Sequence, residues 1–186
     1  MPKTTPTPAA VFTEATLHKA AQNPEVGWTG PSGEESSGES VARHLEATAA
    51  LLDKDGWSRV YTPYFRDGDQ TSGTSPADDE SLTVKQMVRA LLRFIHDDTD
   101  VDLRRTLSCA LWHVGGDTGP GDSDTALVAD RVLDRLVQTH TGTASAYASA
   151  WSQRQHRTYA DITALLGAGA RFARTYGPSA ATARAA

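Results

Sequence analysis

The chain has 186 residues, of which 39% are hydrophobic and 22% are charged, and its formal net charge is −5. This length and composition are typical of one ordinary soluble domain. The sequence contains no apolar run near the roughly eighteen residues of a membrane-spanning helix, and its N-terminus lacks the apolar core of a secretory signal. The negative net charge disfavours a dedicated nucleic-acid binder. We therefore expect a cytoplasmic protein without membrane contact.

Residues 1–39 are rich in Pro, Thr, Ser, Gly and Glu, which predicts a mostly disordered tail because such a segment buries too little apolar surface to offset its ordering. Within this tail, residues 12–22 have the pattern of a short helix with Thr13 as its cap. A second disordered tail is predicted for residues 178–186. A single helical domain is thus predicted to cover residues 40–177.

The first half of the predicted domain contains two helical patterns separated by an extended one. Ser40 is expected to cap a helix that Gly56 ends. The aromatic and β-branched residues 57–66 then predict a short β-hairpin or extended segment. Thr83 begins a capping box, and apolar residues recur at helical spacing from there to Ile95.

The second half of the predicted domain consists of helices separated by glycine-rich breaks. A helix over about residues 100–114 is apolar around a wide arc, which indicates a central, buried position. Asp124 or Thr125 is expected to cap the next long helix. Residues 158–161 have the pattern of a cap for a last helix that ends at Tyr176. The predicted fold class is therefore all-α, a compact multi-helix bundle.

Two glycines, Gly167 and Gly169, lie inside the last predicted helix. A glycine inside a helix costs roughly 1 kcal/mol relative to alanine. We therefore expect these glycines to permit the close approach of a neighbouring helix.

Three sequence landmarks lie along the predicted domain: Gly56-Trp57, Cys109-Ala110-Leu111, and Trp151 followed by Arg157-Thr158. Together they resemble the pattern of a family of short actinobacterial and actinophage proteins whose domain is classed as of unknown function. The resemblance covers about residues 40–176. It implies a helical domain and brings no activity with it.

The C-terminal segment is basic, since residues 151–186 contain five arginines and one aspartate. Trp151, Arg154, His156 and Arg157 form the candidate binding site, because an aromatic ring beside guanidinium groups suits base stacking and phosphate binding. The alternative is that Trp151 anchors the core and that the arginines pair with acidic side chains of the same chain.

A thiol and an imidazole are four residues apart in the predicted central helix, at Cys109 and His113. This spacing places both side chains on one side of a helix, where a thiol nucleophile and its base need to be. The alternative is that Cys109, the only cysteine in the sequence, fills a small space in the core.

The acidic segment, residues 96–102, is the densest set of potential metal ligands, and it contains His96, Asp98, Asp100 and Asp102. Hard cations such as calcium take several carboxylate oxygens. The segment lacks the glycine and the glutamate that complete a calcium loop, so the alternative is a connector whose aspartates cap the next helix.

The sequence contains no nucleophile-elbow, zinc-protease or dinucleotide-binding motif. We therefore expect a non-enzymatic interaction module that binds a protein partner through its basic C-terminal helix and needs no cofactor. The first alternative is a small-ligand, nucleotide or phosphate-binding protein that uses Trp151, Arg154 and Arg157. The second alternative is a small enzyme that uses the thiol pair or the acidic segment.

Overall fold

The computed structural model describes residues 12–22, 27–60, 104–116 and 122–179. All of them belong to one of the two units into which the chain divides, the one formed by residues 1–61 and 104–186. The helices in the described ranges are α1 Glu14–Ala21, α2 Gly38–Asp55, α3 Leu107–Gly115, α4 Ser123–Thr141, α5 Ala148–Ser152 and α6 Tyr159–Tyr176. The fold is all-α, as predicted. Among these helices, none has the length and apolar character that crossing a membrane requires.

The core of this unit lies where α2, α4 and α6 meet, and α1, α3 and α5 pack around it. Apolar residues recur three and four positions apart along each helix, so that each has one continuous buried face. On α4 this face consists of Ala126, Val128, Ala129, Val132, Leu133, Leu136 and Val137. Full burial of a valine or leucine side chain contributes about 1.5–3 kcal/mol, so these faces dominate the stability of the bundle.

Helix α2 begins earlier than the sequence predicts. Ser37 is its cap, because the Ser37 hydroxyl accepts a hydrogen bond from the Ser40 amide at 3.1 Å. The prediction that Ser40 is the cap is wrong. The start is fixed by a contact with the end of the chain, since the Gly38 amide donates to the Pro178 carbonyl at 2.8 Å. A Cβ at Gly38 would overlap with the Ala173 carbonyl, so only glycine fits there.

Helix α4 is capped by Asp122, whose carboxylate accepts a hydrogen bond from the Thr125 amide at 2.7 Å. The expectation of a cap at Asp124 or Thr125 is wrong by two or three residues. Asp124 lies in the first turn instead, where its carboxylate accepts hydrogen bonds from the Ser32 amide and hydroxyl. All short polar residues close to a helix start resemble caps in the sequence. Here the contact with Ser32 engages Asp124, and Asp122 is the cap.

Helix α3 begins at Leu107, after Thr106 as its cap, rather than near residue 100. The reason is that Arg105 forms a parallel bridge with Trp57, in which the Arg105 amide donates to the Gly56 carbonyl at 2.9 Å. Trp57 is thus extended, in line with the predicted extended segment, while residues 61–66 lie outside the described residues. The helix predicted from Thr83 to Ile95 also lies outside them.

Two parts of the predicted N-terminal tail contact the bundle. Helix α1, within the range predicted for it, buries Leu17 and Ala20. Residues 27–37 lie beside α4, where the Arg131 guanidinium donates to the Thr29 carbonyl at 2.8 Å. These contacts attach the segment before α2 to the start of α4.

Candidate functional site

The predicted binding residues lie in and beside the turn between α5 and α6. Arg154 and His156 are exposed, and Arg157 is half-buried. Within the described residues, the side chains of Arg154 and His156 have no hydrogen-bond or ion-pair partner. An arginine without a carboxylate beside it keeps its hydrogen-bond donors available for an external acceptor.

Trp151 is part of the core below this turn, with 1% of its surface exposed. The edge of its ring meets Phe12, with ring centroids 5.8 Å apart. The Arg157 guanidinium lies over the ring at 4.0 Å from its centroid, a cation–π contact. Trp151 therefore acts as a support for Arg157, and its own ring is not open for stacking on a base.

The Arg157 guanidinium is partly removed from water without a full set of acceptors. Its Nε is buried and has no hydrogen-bond partner. Burial lowers the pKa of Arg157, while nearby Asp161 raises it and nearby Arg154 lowers it further. An arginine still remains charged at neutral pH. An anion placed against its outer side would therefore supply acceptors that the described chain does not provide.

The start of α6 fixes where Arg157 lies. The Thr158 amide donates to the Asp161 carboxylate at 2.8 Å, and the Thr158 hydroxyl accepts from the Asp161 amide, which is the predicted capping box. This prediction is confirmed. The Asp161 carboxylate already lies at the positive end of α6. It therefore takes the position that a phosphate would need to bind at the helix start.

A third arginine, Arg59, lies beside the same turn although it is distant in sequence. Its guanidinium donates to the Gln155 carbonyl at 2.9 Å, across 96 positions of sequence. We call Arg59, Arg154, His156 and Arg157 the arginine surface. Sequence reasoning missed Arg59, since no local pattern connects it with the α5–α6 turn.

The arginines within α6 have different surroundings. Arg174 pairs with Glu39 at 3.0 Å and, through two guanidinium nitrogens, with Glu46. Arg171 lies 3.5 Å from Glu14 of α1. Hydrogen bonds from Arg174 lower the pKa of both Glu39 and Glu46. The basic residues of α6 are thus paired with carboxylates of α1 and α2.

The model of one protein family, described as a family of unknown function (DUF6197), matches residues 36–172. The chain belongs to the DUF6197 family. The predicted membership of a family of unknown function is thereby confirmed, and the match includes every residue of the arginine surface. Searches of the curated proteins and of the solved structures found no match.

In this DUF6197 chain, Cys109 and His113 both lie on α3. Cys109 is a half-buried free thiol, and its amide donates to the Thr106 hydroxyl at 3.2 Å as part of the helix cap. His113 is exposed. The described part of α3 shows no hydrogen bond between the two side chains, so the structure gives the thiol no positioned base.

The predicted metal ligands His96, Asp98, Asp100 and Asp102 lie outside the described residues. Among the residues that are described, histidines, cysteines and carboxylates do not form any group of three or more that would hold a metal ion.

Proposed function

We propose that this DUF6197 chain is a non-enzymatic interaction module that binds an acidic segment of a partner protein at the arginine surface. The observation that carries this proposal is that Arg154 and His156 are exposed and have no side-chain partner within the described residues, whereas Arg171 and Arg174 pair with carboxylates of the same chain. Arg59, Arg154 and Arg157 form a local positive patch on a chain of net charge −5, and this patch attracts an acidic partner.

The support below Arg157 favours binding. Because the Trp151 ring holds the guanidinium at 4.0 Å, Arg157 loses little rotational freedom when a partner binds. Guanidinium groups also match carboxylates with two parallel hydrogen bonds. A glutamate or aspartate of the partner is therefore the group that this surface suits best.

A phosphate or nucleotide ligand at the same surface is the second candidate. The exposed guanidinium of Arg154, which has no partner within the described residues, favours it, since arginine donates to a phosphate as well as to a carboxylate. Two observations weigh against a nucleotide: the Trp151 ring is covered, and Asp161 occupies the start of α6. Binding of a protein partner requires neither an open Trp151 ring nor a free start of α6.

We also propose a cytoplasmic location and an actinobacterial or actinophage source. Composition supports the first, and the resemblance of the landmarks Gly56-Trp57, Cys109-Ala110-Leu111 and Trp151…Arg157-Thr158 supports the second. Fractionation of the native host and immunodetection of the chain test the location, and recovery of the chain with the membranes would contradict it.

The direct test is fluorescence anisotropy with a labelled oligoglutamate peptide and the full chain. We expect saturable binding that weakens with added salt, as contacts between charged groups do. Arg154→Ala should weaken binding about tenfold, the equivalent of one charge-assisted hydrogen bond. Arg171→Ala is the matched control, because it removes the same charge from an exposed arginine that is already paired, and it should leave the affinity unchanged.

Three outcomes would contradict the proposal: no binding of oligoglutamate, equal losses for Arg154→Ala and Arg171→Ala, or equal affinity for oligoglutamine. Labelled ATP and inorganic pyrophosphate, titrated in the same assay, distinguish a phosphate-binding site from a site for an acidic protein segment. If they bind through Arg154 while oligoglutamate does not, the surface is a phosphate site.

A further inference from the structure

A cavity of about 390 Å³ lies between α2, α3 and the start of α4. None of the arginine-surface residues lines it. The residues that line it include Arg43, His44, Ala47, Val114, Asp122 and Thr125. A volume in this range is typical of a small-molecule site.

His44 supplies an unused hydrogen-bond acceptor in the wall. Only 4% of the residue is exposed, and its Nε2 lies 3.0 Å from the Leu111 carbonyl oxygen. Because a carbonyl can only accept, Nε2 carries the proton and Nδ1 is a bare acceptor. Nδ1 is buried and has no partner. Burial lowers the pKa of His44, so the ring is neutral at pH 7.

Asp122 places a negative charge in the same cavity. Its carboxylate accepts hydrogen bonds from the Thr125 amide at 2.7 Å and the Thr125 hydroxyl at 2.8 Å. Burial alone raises the pKa of Asp122, but these hydrogen bonds outweigh burial and lower it, so the group stays ionised. Since Asp122 already occupies the anion position at the start of α4, a second anion there is repelled.

Arg43 stands at the exposed side of the cavity with its terminal nitrogens available. Its Nε donates to Glu39 at 2.9 Å, and within the described residues its other two nitrogens have no partner. Ala47 and Val114 provide apolar wall. The cavity therefore combines acceptors, an apolar lining and a cation.

We propose that this cavity binds a short ω-amino acid, whose ammonium group donates to Asp122 and His44 and whose carboxylate pairs with Arg43. The aliphatic part of the ligand lies against Ala47 and Val114. Because Nδ1 of His44 is buried, a small rotation of the imidazole accompanies its hydrogen bond to the ligand. This site is independent of the arginine surface.

A matched set of three compounds tests the proposal by calorimetric titration of the full chain: 5-aminopentanoate, pentylamine and pentanoate. We expect 5-aminopentanoate to bind most tightly, pentylamine about tenfold more weakly for loss of one charged pair, and pentanoate not to bind measurably. The nitrogen-15 resonance of the His44 Nδ1, read in the same titration, should shift with the two amines only.

Asp122→Asn is the decisive variant, because asparagine is an equally good helix cap and keeps α4 intact while it removes the charge. It should weaken the binding of 5-aminopentanoate at least tenfold. Asp124→Asn, in the same helix turn but outside the cavity wall, is the control and should bind as the unmodified chain does.

Absence of saturable binding by both amines overturns the proposal, as does binding of pentanoate as tightly as pentylamine. Unchanged affinity in Asp122→Asn also overturns it. Loss of oligoglutamate binding at the arginine surface leaves this site unaffected, so failures of the two proposals are distinguishable.

Discussion

The arginines that precede α6 and those within it belong to the same basic segment of sequence but have opposite surroundings. Arg174 is held by two glutamates of α2, and Arg171 lies beside a glutamate of α1. Arg154 is exposed and has no partner among the residues that the structure describes, and the Arg157 guanidinium lies over an aromatic ring. Positive charge in a sequence therefore does not identify a binding surface, because intramolecular pairing decides which cations are available.

The pairing within α6 follows from the register of α2. Glu39 and Glu46 are seven residues apart, which is about two helical turns. Both carboxylates therefore lie on the side of α2 that faces Arg174 of α6. The described residues show no carboxylate paired with Arg154. The arginines within α6 connect helices through ion pairs, and Arg154 is available for a partner.

Removal of the ring below Arg157 should have the largest effect on stability. Trp151→Ala deletes a side chain that is 1% exposed, and we expect the free energy of unfolding to fall by about 3–5 kcal/mol. Trp112→Ala is the control, because that residue is 44% exposed, and it should lower stability by about 1 kcal/mol, clearly less than Trp151→Ala. Urea unfolding measures both. Equal losses would contradict the placement of Trp151 in the core.

The two glycines of α6 should respond to alanine with opposite signs. A Cβ at Gly169 would lie 2.8 Å from a Leu133 methyl carbon and 2.9 Å from a Leu45 methyl carbon, so Gly169→Ala should destabilise by about 1–3 kcal/mol. A Cβ at Gly167 would meet only the flexible end of Arg171 at 3.8 Å, so Gly167→Ala should stabilise by about 0.5–1 kcal/mol. Thermal melting compares the pair, and a shared sign would show that α6 is packed differently.

Helix α5, which carries Trp151, should be sensitive to pH through Asp134. The Asp134 carboxylate accepts from the Ala148 amide at 2.6 Å at the start of α5. Burial raises the pKa of Asp134 to about 6, an effect that the Ala148 hydrogen bond opposes and nearby Asp130 increases. Since the folded chain binds this proton more tightly than the unfolded chain, stability should fall as pH rises from about 4 to about 6.

Asp134→Asn keeps the acceptor for the Ala148 amide and removes the titration. At pH 7 we expect this variant to be more stable than the unmodified chain by about 1 kcal/mol after allowance for solvent screening. The difference should disappear below about pH 4, where the carboxyl is protonated in both states. Urea unfolding at a series of pH values measures this. A constant difference at all pH values would contradict the role of the charge.

The smallest effect on stability should come from the paired arginine. Arg174→Ala removes the ion pairs with Glu39 and Glu46, and we expect a slight loss of melting temperature at low salt that vanishes at high salt, since exposed pairs are screened. Arg154→Ala should leave the melting temperature unchanged at either salt concentration. If Arg154→Ala shows the salt-dependent loss instead, the assignment of paired and unpaired arginines is reversed.

Local patterns in the sequence predicted much of the fold. The capping box at Thr158 and the end of α6 at Tyr176 depend on neighbours within four residues, which a sequence displays directly. The starts of α2 and α4 were misplaced because contacts with Pro178 and Ser32, far away in sequence, decide between similar polar residues. Gly169 has the expected role, since a Cβ there would meet side chains of two neighbouring helices. The same expectation for Gly167 is wrong, because a Cβ there would meet only the flexible end of Arg171 at 3.8 Å.

The candidate site was visible only in part. Arg154, His156 and Arg157 are neighbours in sequence, so their proximity required no knowledge of the fold. Arg59 joins them across 96 positions, and no spacing rule connects it with them. The cavity beside His44 was missed for the same reason, because its wall is assembled from three helices and contains no motif.

We propose that the arginines before α6 bind a partner and that those within α6 do not. Nitrogen-15 resonances of the arginine Nε–H groups, followed while oligoglutamate is added to the full chain, compare both groups in one sample. We predict that the Arg154 and Arg157 signals shift in a saturable manner and that the Arg171 and Arg174 signals stay in place. Shifts confined to Arg171 and Arg174, or equal shifts in all four, would contradict the account.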